Sequence, residues 1–230
     1  MNTTPQSGPA RAFAHRTLSP LARVLVSAGV SADAVSAVAL LLGLAGAVML
    51  ALGRFGTAAP LIVIASLGDA LDGVTARVGG TASPRGALFD AACDRYQEAA
   101  ILAGLAIHLR TDAVALALVL AALTGSFMVS YGSAKAEALK VAVPGGTMRR
   151  FERAVCICLG VAAVPVSSAL VRAGAAPAWA AQAPILLALA VVAVVGNVSA
   201  VARLRIIGGA TMPEAGSTRT PDTSTAVRAP

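Results

Sequence analysis

Charged residues are scarce in this chain: they make up 13% of its 230 residues, and only eleven are acidic. Hydrophobic residues reach 57%, and the mean hydropathy is +0.78. A water-soluble domain needs a polar outer layer that this composition does not supply. Aromatic residues are also few, at 3%, and the basic residues lie near predicted helix ends, which together argue against a nucleic-acid-binding protein.

Cysteine is the next scarce residue, with three copies, Cys93, Cys156 and Cys158, all in predicted helices. Positions 156 and 158 point in different directions on a helix, so neither a disulfide nor a metal-binding pair is expected there. We interpret all three as small apolar packing residues.

Long apolar stretches, by contrast, are abundant. Each is about 20 residues or longer, which at about 1.5 Å per residue crosses a hydrocarbon core about 30 Å thick. We therefore predict an all-α integral membrane protein with six transmembrane helices. Their predicted ranges are residues 32–52, 58–78, 87–109, 112–138, 152–172 and 178–202.

The segments outside these spans have a different composition. Residues 1–10 lack hydrophobic periodicity and predict a disordered leader that is not a signal peptide, and residues 210–230, rich in Thr, Ser, Pro and Ala, predict a disordered tail. Residues 11–209 then form a single membrane domain. Its first segment predicts an interfacial amphipathic helix, broken or kinked at Pro20. The apolar arc of that helix consists of Phe13, Leu18, Leu21, Val24 and Leu25, opposite Arg16 and Arg23.

Basic residues predict the orientation of the chain in the membrane, because Lys and Arg accumulate on the cytoplasmic side. Fourteen of the eighteen lie in the amino-terminal segment, the second and fourth connections and the tail. Both termini should therefore face the cytoplasm, in a cytoplasmic (inner) membrane rich in anionic lipid.

Five of the eleven acidic residues lie in one short stretch: Asp69, Asp72, Asp90, Asp94 and Glu98. On helices, spacings of three and four put each Asp pair along one face, so that two helices can direct four carboxylates at one point. All-oxygen sites select Mg²⁺ or Mn²⁺, and two ions about 4 Å apart would clamp a pyrophosphate. Two alternatives are interhelical pairing with Arg77, Arg85 and Arg95, and the cation pathway of a transporter.

From Asp69 to Asp94 the chain reads D-x2-D-G-x2-A-R-x8-G-x3-D-x3-D. This pattern resembles the signature of the CDP-alcohol phosphotransferases, integral membrane enzymes that make phospholipids. The resemblance implies that an acceptor hydroxyl attacks the lipid-linked phosphorus of CDP-diacylglycerol and releases CMP. It also implies that Asp94 acts as general base. The implied metal ligands are Asp69, Asp72, Asp90 and Asp94, and the implied CDP-binding residues are Asp69, Gly73, Ala76, Arg77 and Gly86.

Basic residues further along resemble those of the phosphatidylinositol phosphate synthases in this family. That likeness implies a phosphorylated polyol as acceptor, with inositol phosphate preferred. The implied acceptor-binding residues are Ser130, Lys135, Arg150, Arg153 and Arg203. The chain departs from the pattern at Ser133, where a basic residue is expected, and at Lys135, where Arg is expected. Glycerol phosphate is therefore the alternative acceptor.

Two further expectations concern assembly and function class. By analogy with the family we expect a homodimer, in contact with membrane lipid. A cation transporter and an inactive membrane scaffold are the alternatives from other classes. The carboxylates cluster toward one side and no other span offers a matching one, which argues against a translocation path; the complete motif argues against a scaffold.

Overall fold

The computed structural model describes residues 9–143 and 148–211. This part of the chain is all-helical and contains no strand. The predicted leader and tail fall largely outside it, on residues 1–8 and 212–230. The α-helices are α1 (Pro9–Ser27), α2 (Ala32–Ala51), α3 (Phe55–Val78), α4 (Pro84–His108), α5 (Ala113–Ala138), α6 (Arg150–Arg172) and α7 (Ala183–Thr211).

Local signals explain where most of these helices begin. Ser31 caps α2 by accepting a hydrogen bond from the backbone N–H of Ala34, as its position in the sequence predicts. Ser83 caps α4 in the same way, and Pro84 follows at the first helical position, where its missing N–H costs nothing. α1 continues through Pro20 as one helix, so the expected break there is absent.

The last helix differs from its predicted range of 178–202. Residues Ala178–Ala181 form a separate 3₁₀ turn, and α7 starts at Ala183 and continues to Thr211. Pro184 provides the physical reason, because a proline has no N–H for the carbonyl one turn earlier and therefore starts a helix rather than continuing one.

Five of these helices, α2, α3, α5, α6 and α7, are long and apolar enough to cross a membrane. The stretch predicted as the remaining span, 87–109, falls on α4, which carries five charged residues within residues 84–98. α4 has the length of a span but not the apolar composition of the other five.

The six long helices form a closed ring in the order α2, α3, α6, α7, α5, α4, and α1 packs on α3. Buried apolar side chains, among them Leu50, Ile62, Leu105, Val161 and Leu189, fill one end of this ring. Most of the buried polar side chains lie toward the other end, where α3 and α5 finish and α4 and α6 start. This polar end holds the Asp motif.

Candidate active site

The four motif carboxylates come together between two antiparallel helices. Asp69 and Asp72 lie near the end of α3, and Asp90 and Asp94 lie near the start of α4. All four are close enough to interact electrostatically, and Asp72 and Asp94 are buried. The helical spacing argument from the sequence thus agrees with the geometry.

A guanidinium lies between two of these carboxylates. Nη2 of Arg150, at the start of α6, is 2.5 Å from Oδ2 of Asp69 and 2.5 Å from Oδ1 of Asp94. The Asp94 oxygen is buried and forms no hydrogen bond of good geometry. Arg150 therefore joins the Asp motif to the basic residues that the sequence assigned to the acceptor.

The carboxylates suit a hard divalent cation by their chemistry. Within residues 9–143 and 148–211, no three acidic, histidine or cysteine side chains are arranged to enclose a metal ion. Asp69 and Asp94 nevertheless accept a cation between them, since the Arg150 charge is held there. Four carboxylates, one with a buried oxygen that forms no hydrogen bond, fit Mg²⁺ or Mn²⁺, which prefer oxygen ligands.

Two neutral side chains that sequence reasoning missed support the aspartates. Ser36 on α2 is buried and donates a 2.5 Å hydrogen bond to Oδ2 of Asp72. Gln97 on α4 is also buried and donates from Nε2 to Oδ2 of Asp69 at 2.8 Å. The available signal for Ser36 was that, apart from Asp33 in the first turn, it is the one polar residue of α2. The available signal for Gln97 was its position one turn from Asp94, on the same face of α4.

The predicted nucleotide residues line the end of α3. Among the described residues, only the Arg77 guanidinium comes within 4 Å of the place where a Cβ on Gly73 would lie. Arg77 is exposed and Ala76 half-buried, so this face of the helix is open. Gly86 lies across the α3–α4 connection, near Oδ1 of Asp33.

The predicted acceptor residues divide into two groups. Lys135 is exposed at the end of α5, and Nη1 of Arg203 on α7 donates to Oγ of Ser133 at 2.7 Å. With Arg150, these cations surround the polar end of the ring. Ser133, which departs from the expected basic residue, thus orients Arg203.

Arg153 and Ser130 form the second group, a hydrogen-bond network inside the ring. Arg153 is 1% exposed, and its Nε and Nη2 bind the two carboxylate oxygens of Glu98 at 2.7 and 3.0 Å. Its Nη1 donates to the carbonyl of Met148 at 2.8 Å, and Nη2 lies 3.4 Å from Oγ of Ser130. Arg153 therefore ties α4, α5 and α6 together from inside the ring, where the sequence predicted contact with an acceptor.

Comparison with known proteins gives the site a context. A family model described as CDP-alcohol phosphatidyltransferase matches residues 30–201. The phosphatidylinositol phosphate synthase of Mycobacterium marinum is 36% identical over 155 residues, which cover 65% of this chain and 66% of that protein. A bifunctional IPC transferase and DIPP synthase of Rubrobacter xylanophilus is 37% identical over 156 residues, which cover 66% of this chain but 35% of that longer protein.

Solved structures resemble the whole ring. The crystal structure of Mycobacterium tuberculosis phosphatidylinositol phosphate synthase with CDP-DAG bound has a TM-score of 0.72 and 28% identity, covering 87% of this chain and 100% of that one. The same enzyme in complex with manganese and citrate also has a TM-score of 0.72, with 27% identity and coverage of 86% and 93%.

Proposed function

Because this chain belongs to the CDP-alcohol phosphatidyltransferase family, we propose that it transfers a phosphatidyl group from CDP-diacylglycerol to a phosphorylated polyol, inositol phosphate being preferred. The observation that supports a phosphorylated acceptor is the position of Arg150. Its guanidinium lies against Asp94, so the proposed base and a cation for a second phosphate are adjacent. Relatives named phosphatidylinositol phosphate synthase point the same way.

Asp69, Asp72, Asp90 and Asp94 would hold Mg²⁺ or Mn²⁺, with two ions expected. Bound there, the metal would neutralise charge on the pyrophosphate of the donor. The manganese complex of the Mycobacterium tuberculosis enzyme supports this choice of metal. Ser36 and Gln97 hold two of these carboxylates from the protein side.

In the proposed reaction, the acceptor hydroxyl oxygen bonds to the lipid-linked phosphorus of the donor. The bond from that phosphorus to the oxygen bridging to CMP breaks, and CMP leaves with the electron pair. Asp94 takes the hydroxyl proton. As a general base it must lie within hydrogen-bond distance of the acceptor hydroxyl. The open face of α3 at Gly73 and Ala76, with Arg77 above it and Asp69 and Gly86 beside it, would bind the cytidine diphosphate.

The acceptor phosphate would bind to Lys135, Arg150 and Arg203, near Ser130. Arg150 and Arg203 offer planar donor groups suited to phosphate, and Lys135 offers a point charge. Arg153 contributes indirectly, because its bonds to Glu98 fix the start of α6, which carries Arg150.

In the membrane, we propose that α4 completes a set of six spans and that α1 lies in the interface. Both termini and the active site would face the cytoplasm, where water-soluble acceptors are available. The charges of α4 lie at its site end, toward the polar end of the ring, so they need not contact lipid. A homodimer is proposed by analogy with the family.

The decisive experiment is an acceptor panel. Purified chain is mixed with CDP-diacylglycerol, Mn²⁺ and radiolabelled inositol phosphate, glycerol phosphate or inositol, and both CMP release and lipid-soluble label are measured. Label from inositol phosphate is the expected result. Label from glycerol phosphate alone would correct the acceptor, and no CMP with any alcohol would refute the proposal.

A further inference from the structure

Gln97 carries a buried amide that lies beside the Asp motif but is not one of the motif residues. It lies on α4, one turn from Asp94, and 4% of its surface is exposed. Its Nε2 donates to Oδ2 of Asp69 at 2.8 Å, while its Oε1 is buried and has no hydrogen-bond partner. The side chain thus makes one bond of good geometry, across to α3.

Keeping this amide buried is costly. Fixing a glutamine side chain removes most of its rotamer entropy. Leaving its buried carbonyl unpaired adds the cost of removing that oxygen from water. An apolar side chain at the α2–α4 contact would avoid both costs. The bond to Asp69 is therefore the physical reason for an amide at this position.

Gly43 on α2 makes the room that Gln97 occupies. A Cβ on Gly43 would lie 2.6 Å from Cγ, 2.8 Å from Cδ and 2.9 Å from Oε1 of Gln97. Real carbon atoms do not approach so closely, so any other residue at position 43 displaces the amide. Gly43 is itself buried, at the contact of α2 with α4.

The donors on Asp69 come from two directions. Arg150 reaches Oδ2 from α6 and also contacts Asp94, so on its own it draws the two carboxylates together. Gln97 holds the same oxygen from α4, and neither donor uses Oδ1. As a neutral group, Gln97 orients the carboxylate without cancelling the negative charge that a metal ion needs.

We propose that Gln97, seated against Gly43, is a positioning residue that orients Asp69 for a divalent metal ion. The inference rests on the proposed function to the extent that Asp69 is a metal ligand. Loss of such a supporting hydrogen bond lowers metal affinity about 10- to 100-fold.

The test measures Mn²⁺ binding to the purified full chain by electron paramagnetic resonance, with no substrate present. Gln97→Met keeps the size of the side chain and removes the donor, and Gly43→Ala displaces the amide. Both should raise the dissociation constant for Mn²⁺ about 10- to 100-fold. Gln97→Ala, which only removes atoms, carries the same test if the Met variant does not fold.

Gly46→Ala is the matched control. Its Cβ would lie 2.7 Å from Cγ1 of Ile62, so it strains the contact of α2 with α3, one turn from Gly43, without touching Gln97. It should lower thermal stability and leave Mn²⁺ affinity within about twofold of the unchanged chain. In a Gln97→Ala background, Gly43→Ala should cause no further loss of affinity, because the group it displaces is already gone.

The inference is overturned if Gln97→Met binds Mn²⁺ as the unchanged chain does, or if Gly46→Ala weakens binding as much as Gly43→Ala. It is also overturned if the losses of affinity caused by Gln97→Ala and Gly43→Ala add in the double variant. Mn²⁺ binding that depends on Gln97 without CMP release would refute the proposed function and leave this inference standing. An unchanged chain that binds no Mn²⁺ refutes the positioning role directly.

Discussion

The ion pair between the buried Arg153 and the half-buried Glu98 yields the sharpest stability prediction. Two charge-assisted hydrogen bonds, at 2.7 and 3.0 Å, join them across α4 and α6. Breaking a buried pair by removing one partner costs about 3–5 kcal/mol, because the other charge is left unpaired. Arg153 would keep its bond to the Met148 carbonyl, so we take the lower end of this range, about 3 kcal/mol, for Glu98→Ala.

Thermal unfolding in detergent measures this cost. At about 2–4 °C per kcal/mol for a chain of this size, Glu98→Ala should lower the Tm by about 6–12 °C. A thiol-reactive dye reports unfolding, since Cys93 is buried in the folded chain. The control is Glu137→Ala, an exposed glutamate on α5. A Tm equal to that of the control would refute the reasoning.

Replacing both Glu98 and Arg153 tests whether this pair stabilises the fold or whether Arg153 binds the acceptor. Well-packed apolar residues often replace a buried ion pair at little cost, so Glu98→Met with Arg153→Met should recover much of the stability lost in either single variant. The recovered variant should also release CMP, because Arg153 acts by fixing α6. A stable double variant with a large loss of affinity for the phosphorylated acceptor would show instead that Arg153 binds it.

Three further predictions concern the site. Asp94→Asn should abolish CMP release while the Tm stays near that of the unchanged chain, and undiminished turnover would remove Asp94 as the base. Ser36→Ala should weaken Mn²⁺ binding about tenfold or more through Asp72, with recovery in Ser36→Thr; equal affinities in both variants would contradict this. Gly73→Leu should block binding of cytidine diphosphate in calorimetry, whereas Gly73→Ala should be milder, because its Cβ makes an ordinary 3.5 Å contact with Arg77.

The sequence predicted the carboxylate cluster because local rules are enough to determine it. Helical spacing puts Asp69 with Asp72 and Asp90 with Asp94, and the short connection between α3 and α4 keeps the end of one helix near the start of the other. The helix cap at Ser31 is local in the same sense. Family resemblance then identified the reaction class without any knowledge of packing.

Side-chain contacts between distant helices could not be predicted in this way. Ser36 meets Asp72 across 36 residues, and Arg153 meets Glu98 across 55. Such contacts depend on how far each helix rotates about its axis. Membrane helices that are apolar on most sides give little periodic signal for that rotation. The sequence predicts Arg153 as an acceptor-binding residue, but it gives no sign that this guanidinium is buried against Glu98.

Charge balance links these contacts to the chemistry. Five carboxylates lie in or beside the cluster, and Arg95, Arg150 and Arg153 interact with them, so the formal charges, with every carboxylate ionised, sum to minus two. Buried charge without a counterion is strongly unfavourable in a membrane protein, so the cluster is matched to a divalent cation by charge as well as by its oxygen ligands. A second divalent cation would reverse the sign of the excess. Two ions, as proposed, would therefore need further negative charge, which the pyrophosphate of the proposed donor would supply.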